Sequence, residues 1–87
     1  MERIVYRAEF FQEGDAYIGL ASELDVSSFG ETLEEARQSL QEAVEAFVEE
    51  CQNMGTFEEV MEEAGFVKRK DLWVPRQPLV AEMLTVG

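Results

Sequence analysis

The sequence holds no histidine, one cysteine and two prolines, and only seven of its 87 residues are Lys or Arg. Each shortage removes a class of function. Without His there is no Ser-His or Cys-His nucleophile pair within the chain and no His-ligated zinc. The single Cys51 excludes an internal disulfide framework and a thiolate cluster, and it fits a reducing cytoplasm better than secretion. No apolar run approaches the roughly 20 residues that cross a membrane. The first ten residues, MERIVYRAEF, interleave charge too closely for a signal peptide. Gly14, Gly19 and Gly30 are scattered singly, so no phosphate-cradling glycine loop is present.

Positive charge is scarce against 19 acids, which leaves a net charge of −12. That balance argues against direct nucleic-acid binding, because gripping phosphates needs Lys and Arg to displace counterions. The acids are also concentrated. Glu31, Glu34, Glu35, Glu42, Glu45, Glu49, Glu50, Glu58, Glu59, Glu62 and Glu63 fall in one stretch whose only base is Arg37. A helical surface that negative steers a basic partner towards it; the plainer reading is that it keeps a small protein soluble. If a partner docks there, the exposed acids Glu42, Glu45 and Glu49 are its candidate contacts.

What is present is enough for one domain. With 46% hydrophobic residues, a chain of this length is near the lower end of what a single core supports. The clearest signal runs from Gly30 to Met54. Leu33, Ala36, Leu40, Ala43, Phe47, Cys51 and Met54 recur in steps of three and four, which lines up one face of a helix. Thr32 and Glu35 have capping-box spacing, and Gly55 stands where a left-handed residue closes the last turn. Cys51 lies on the apolar face and reads as a small buried hydrophobe.

Upstream of that helix, Ile4, Tyr6, Ala8 and Phe10 alternate with polar or exposed positions, predicting a strand over 3–12. Glu13-Gly14-Asp15 is a turn, and 16–21 resumes strand character, making a β-hairpin. Gly19 marks a bulge or a close approach by a neighbour. A third short strand covers 26–29. Downstream, Thr56 and Glu59 repeat the capping-box spacing before Phe57, Val60, Met61 and Ala64, and Gly65 ends this second helix. The segment 66–74 is mixed, and Pro75 and Pro78 interrupt it. Leu79, Val80, Met83, Leu84 and Val86 make the last stretch apolar on both alternating sets, predicting a terminal strand buried on both sides. In so small a domain the second face meets another subunit, so these five residues are expected at the interface of a homo-oligomer, a dimer or tetramer. The expected fold is α+β: an antiparallel sheet in β-β-β-α-α-β order with the long helix packed on one face.

The segment from Tyr6 to Phe66 resembles the HicB-like antitoxins of bacterial toxin–antitoxin pairs. The likeness lies in Glu13-Gly14-Asp15-Ala16-Tyr17-Ile18, in Glu23-Leu24, and in Gly30-Glu31-Thr32-Leu33-Glu34-Glu35-Ala36 followed by Leu40 and Glu42-Ala43. Ser22 and Asp25-Val26 stand where the family usually has Pro before the Glu-Leu pair and a Pro-Gly turn after it. The stretch after Phe66 has no helical pattern long enough for the DNA-binding segment many members carry. The resemblance implies a single HicB-like domain over 1–87, with a core of about 3–66 and an extension from 67. It further implies a partial ribonuclease H-like fold, no cofactor, and a small basic HicA-type toxin that cleaves messenger RNA as the partner. The alternative is an orphan HicB-like domain that self-assembles and binds something else.

Two further readings start from single features. A ribonuclease H-like fold could place carboxylates for a two-metal nuclease, and the strand and loop acids available are Glu9, Asp15, Glu23 and Asp25. Asp in a turn such as Asp15 serves its own backbone instead. Lys68-Arg69-Lys70 near Trp73 has the ingredients of a single-strand grip, but three bases stand against a strongly acidic chain, and Trp73 reads as core or interface filling.

Overall fold

The computed structural model describes residues 3–87; Met1 and Glu2, the start of the charge-interleaved N-terminus, lie outside the described residues. The chain is α+β, with mainly antiparallel strand pairing and a long helix, but the strands divide over two sheets, one antiparallel and one mixed. The expected strand over 3–12 appears as two pieces, β1 (Arg3–Ile4) and β2 (Glu9–Glu13). β2, β3 (Ala16–Ala21) and β4 (Val26–Gly30) form an antiparallel meander. A short 3-10 turn at Ser22–Leu24 links the last two and closes on Asp25 in a left-handed conformation.

Two helices follow, α1 (Leu33–Met54) and α2 (Phe57–Glu63). Then comes a hairpin that the mixed composition of 66–74 concealed: β5 (Phe66–Arg69) and β6 (Leu72–Pro75), turning at Lys70-Asp71. β6 also pairs in parallel with β1, so the second sheet runs β1-β6-β5. The break in the first strand has a local cause. The parallel ladder runs from Arg3 N–H to the Asp71 carbonyl and from Val5 N–H to the Trp73 carbonyl. Its next rung would need a backbone donor at position 75, and Pro75 has none.

α1 forms where its spacing places it, and its start is held as expected in one respect. The Thr32 hydroxyl accepts from Glu35 N–H at 3.0 Å, while the Glu35 carboxylate accepts from Glu31 N–H, one residue upstream of the expected Thr32. Gly55 (φ 73°) closes the helix, and its N–H and that of Thr56 donate to the Gln52 and Cys51 carbonyls. This closure corrects the second capping box. Thr56 caps nothing with its side chain, because its hydroxyl is turned back onto the Cys51 carbonyl at 3.5 Å.

The inner face of the meander packs on α1. Phe10, Gly19 and Ser28 stand in cross-strand register on it, and the Ser28 hydroxyl donates to the Ala36 carbonyl at 2.9 Å. A Cβ on Gly19 would lie 2.9 Å from both Phe10 Cε1 and Ser28 Oγ. Gly19 therefore marks a close approach, and with its register unbroken it is no bulge. The core joins Leu24, Leu40, Val44, Cys51, Phe57, Met61, Phe66 and Trp73. Phe57 and Trp73 meet edge to face, centroids 5.9 Å apart. Beyond the expected core of about 3–66, Trp73 and Pro75 are buried as well. On α1, Leu33 and Met54 are exposed at the two helix ends, and Val44, one step off the expected stripe, is buried in their stead.

The predicted terminal strand does not form. Residues from Arg76 onward make no ladder, and Leu79, Met83 and Val86 are almost wholly exposed. A strand exists only by pairing, and within one chain no sheet edge reaches this segment.

Candidate functional site

Beside its core face α1 presents a second stripe, Arg37, Gln41, Glu45, Glu49 and Gln52, in steps of four and three, with the core residue Val44 and the half-buried Val48 along its inner border. Opposite it run Ile4 and Tyr6 of the first strand and the connection towards β2. Because the parallel ladder stops at Pro75, residues 5–8 leave one sheet and cross to the other over α1, and a groove opens beneath them. It consists of two adjoining cavities of about 440 and 420 Å³ that share Ile4, Tyr6 and Gln41. The Tyr6 phenol donates to Gln41 Oε1 at 2.9 Å and forms the bar between them.

The two compartments differ in character. The first is lined by Val5, Ala8, Phe10 and Leu40, with the Arg37 guanidinium stacked 5.4 Å from the Phe10 ring centre. Arg37 is also ion-paired with Glu34, so the lone base of the helix is neutralised locally. The second has an apolar floor of Ile4, Tyr6, Val44 and Val48 and a rim of Glu45, Glu49 and Gln52. Glu45 accepts from Gln41 Nε2 at 3.1 Å. Burial, and then the nearby Glu45 charge, push the Tyr6 phenol above its ordinary pKa, so it stays a neutral donor.

Of the three acids singled out by sequence, the structure brings Glu45 and Glu49 to this rim. Glu42 is exposed outside the lining and accepts from Gln38 Nε2 at 2.9 Å. Sequence reasoning missed Ile4, Tyr6, Val48 and Gln52 as site residues. The available signal was the pair Val44 and Val48, an i, i+4 apolar step outside the stripe expected from sequence, whose first member is core and whose second is half-buried beside it. Chemically, the second compartment suits a long cationic side chain. The methylene stem of an Arg or Lys would lie on Val44 and Val48 while its head met the two carboxylates.

The acids weighed for metal chemistry are dispersed. Asp15 is at the turn end of the β2–β3 hairpin, whereas Glu9 pairs with Leu20 at the other end. Glu23 is ion-paired with Arg7, and Asp25 closes the 3-10 turn. Among the described residues, no group of three or more His, Cys, Asp or Glu side chains is placed to hold a metal ion. In the basic triplet, Lys68 lies 4.0 Å from Glu58 and over the Trp73 ring, which ties it to the fold. Among the described residues no helix is long and apolar enough to cross a membrane. Searches against family models, curated proteins and solved structures found no match to this chain.

Proposed function

We propose that this chain is an antitoxin-like interaction protein of HicB type, which holds a small, basic, RNA-cleaving toxin inactive in the cytoplasm. One observation carries the reading: an apolar groove rimmed by Glu45 and Glu49 on the most acidic helix of a chain with net charge −12. A toxin that grips RNA is basic, and its cationic residues are what an inhibitor must cover. Charge complementarity would raise the association rate and reject acidic partners, while the apolar floor would supply the desolvated anchor. The resemblance over Tyr6–Phe66 points to the same partner class.

The test is growth rescue. The reading requires a short basic protein encoded beside this chain in its source genome, which should arrest growth when expressed alone and allow growth to resume when expressed with this chain. Rescue should fail for Glu45→Lys with Glu49→Lys, a pair of surface changes that leaves the circular dichroism spectrum unchanged. A toxin that the wild-type chain neither binds nor neutralises would overturn the proposal. Rescue that survives both substitutions would move the contact away from the groove.

A further inference from the structure

The sheet has a second face. Opposite Phe10, Gly19 and Ser28, the alternation of the meander turns Phe11, Ile18 and Phe29 outward, and they stand side by side in one cross-strand row. Phe11 is 52% and Phe29 74% exposed, with Ile18 partly covered between them. Sheets of this kind are stable when one face is packed and the other is polar. The molecule is only 18 Å through its thinnest dimension, and among the described residues none covers Phe11 or Phe29 on the outer side of the row.

The same chain carries an uncovered apolar segment that has nowhere to go. From Gln77 onward one side chain is charged, Glu82. Leu79 is 100%, Met83 98% and Leu84 82% exposed. The segment leaves the body where Arg76 N–H donates to the Gly65 carbonyl. It projects, since the radius of gyration is 14.8 Å against about 12 Å for a compact chain of this length.

Charge decides who can approach. The outer face itself carries Glu9 and Glu13, which share the strand parity of Phe11, and no Lys or Arg, so it repels the acidic body of a second copy, while an arm whose one charged side chain is Glu82 meets little repulsion there. We propose that residues 79–86 of one copy lie across the Phe11–Ile18–Phe29 row of a second copy, reciprocally, making a two-fold dimer held by exchanged arms. The dimensions agree. Three strands at the usual spacing make the row about 10 Å wide, and eight extended residues reach about 26 Å. The groove on α1 stays open on the other side, so this dimer neither needs nor blocks a partner there.

Sedimentation equilibrium of the full chain at about 50 μM tests it, with two variants that leave charge and strand propensity alone. One carries Phe11→Thr and Phe29→Thr; the other carries Leu79→Ser, Met83→Ser and Leu84→Ser. The wild type should run at twice its 9.9 kDa mass, and each variant at the monomer mass with an unchanged circular dichroism spectrum. Mixed together, the two variants should recover a one-to-one complex, since one intact arm and one intact face remain. A monomeric wild type overturns the proposal. So does a dimer that survives the arm substitutions, which would mean that the faces pair directly, or a failure of the two variants to complement.

Discussion

Gly30 joins the last strand of the meander to the cap of α1, and a methyl group there has no room. A Cβ would stand 2.6 Å from Ala36 N and from Glu35 Cβ, and 2.9 Å from Glu35 C, where relaxed heavy-atom contacts lie near 3.5–4.0 Å. The obstruction is mostly backbone, and that backbone is pinned. Ala36 N–H bonds to the Thr32 carbonyl at 3.0 Å, Glu35 N–H to the Thr32 hydroxyl, and the Ser28 hydroxyl to the Ala36 carbonyl. Making room means breaking one of these bonds. Overpacking of this kind costs about 1–3 kcal/mol and a lost hydrogen bond about 0.5–1.5 kcal/mol. The stiffer unfolded chain returns about 0.4–1 kcal/mol. Gly30→Ala should therefore destabilise by about 2 kcal/mol, within a span of about 0.5–4 kcal/mol, and the central value is roughly 8–16 °C in melting temperature for a domain of this size. Gly19→Ala adds the same methyl, but its neighbours are the Phe10 ring edge and the Ser28 hydroxyl, which can rotate. It should cost no more than about 1.5 kcal/mol. Urea and thermal melts of both variants decide the matter. A Gly30→Ala change under about 0.5 kcal/mol, or a larger loss at Gly19, would refute the reasoning.

Trp73→Ala removes a core ring stacked edge to face on Phe57 and should cost about 3–5 kcal/mol, enough to leave much of so small a domain unfolded at 37 °C. Fluorescence cannot report that variant, so backbone circular dichroism is the readout. Thr32→Ala should cost about 1 kcal/mol in a urea melt, because the helix loses the bond from Glu35 N–H to the Thr32 hydroxyl. The raised pKa of Tyr6 means that the folded state holds the phenol proton more tightly than the unfolded state does. Its contribution is complete below the unfolded value of about 10 and is lost as pH climbs through the folded value. Wild-type stability should then fall faster above pH 10 than that of Tyr6→Phe, and parallel curves would contradict it.

The regular parts of this fold were legible in the sequence because each carries its signal locally. The helix stripe, the Thr32 cap, Gly55 and the Gly14 turn each depend on neighbours within a few residues. The parts that escaped depend on distant partners. β5 mixes Lys68 and Arg69 with its apolar residues, the hairpin turns at Lys70-Asp71, and β6 takes its second neighbour, β1, from the far end of the chain. Thr56 and Glu59 satisfy a local pattern, yet closing α1 takes the same hydroxyl. Leu79 to Val86 has the composition of a strand and, in a single chain, no edge to join. The groove was half legible. Charge density picked Glu45 and Glu49, but the apolar floor arises from the crossing of residues 5–8, and the reason for that crossing is Pro75.

The pairing of β1 with β6 also governs the order of assembly. Arg3 finds its register only when Leu72 is available, so loop closure for this contact spans nearly the whole chain. The β2–β3 hairpin, the Ser28–Ala36 link and the capped helix are all local and can form while the chain is still growing. Until Trp73 is in place, β1 remains an open edge and the Phe57 side of the core has no lid. Contact separation predicts that docking of the β5–β6 hairpin on β1 is the slow step in folding, and that chains ending before it are the ones to aggregate.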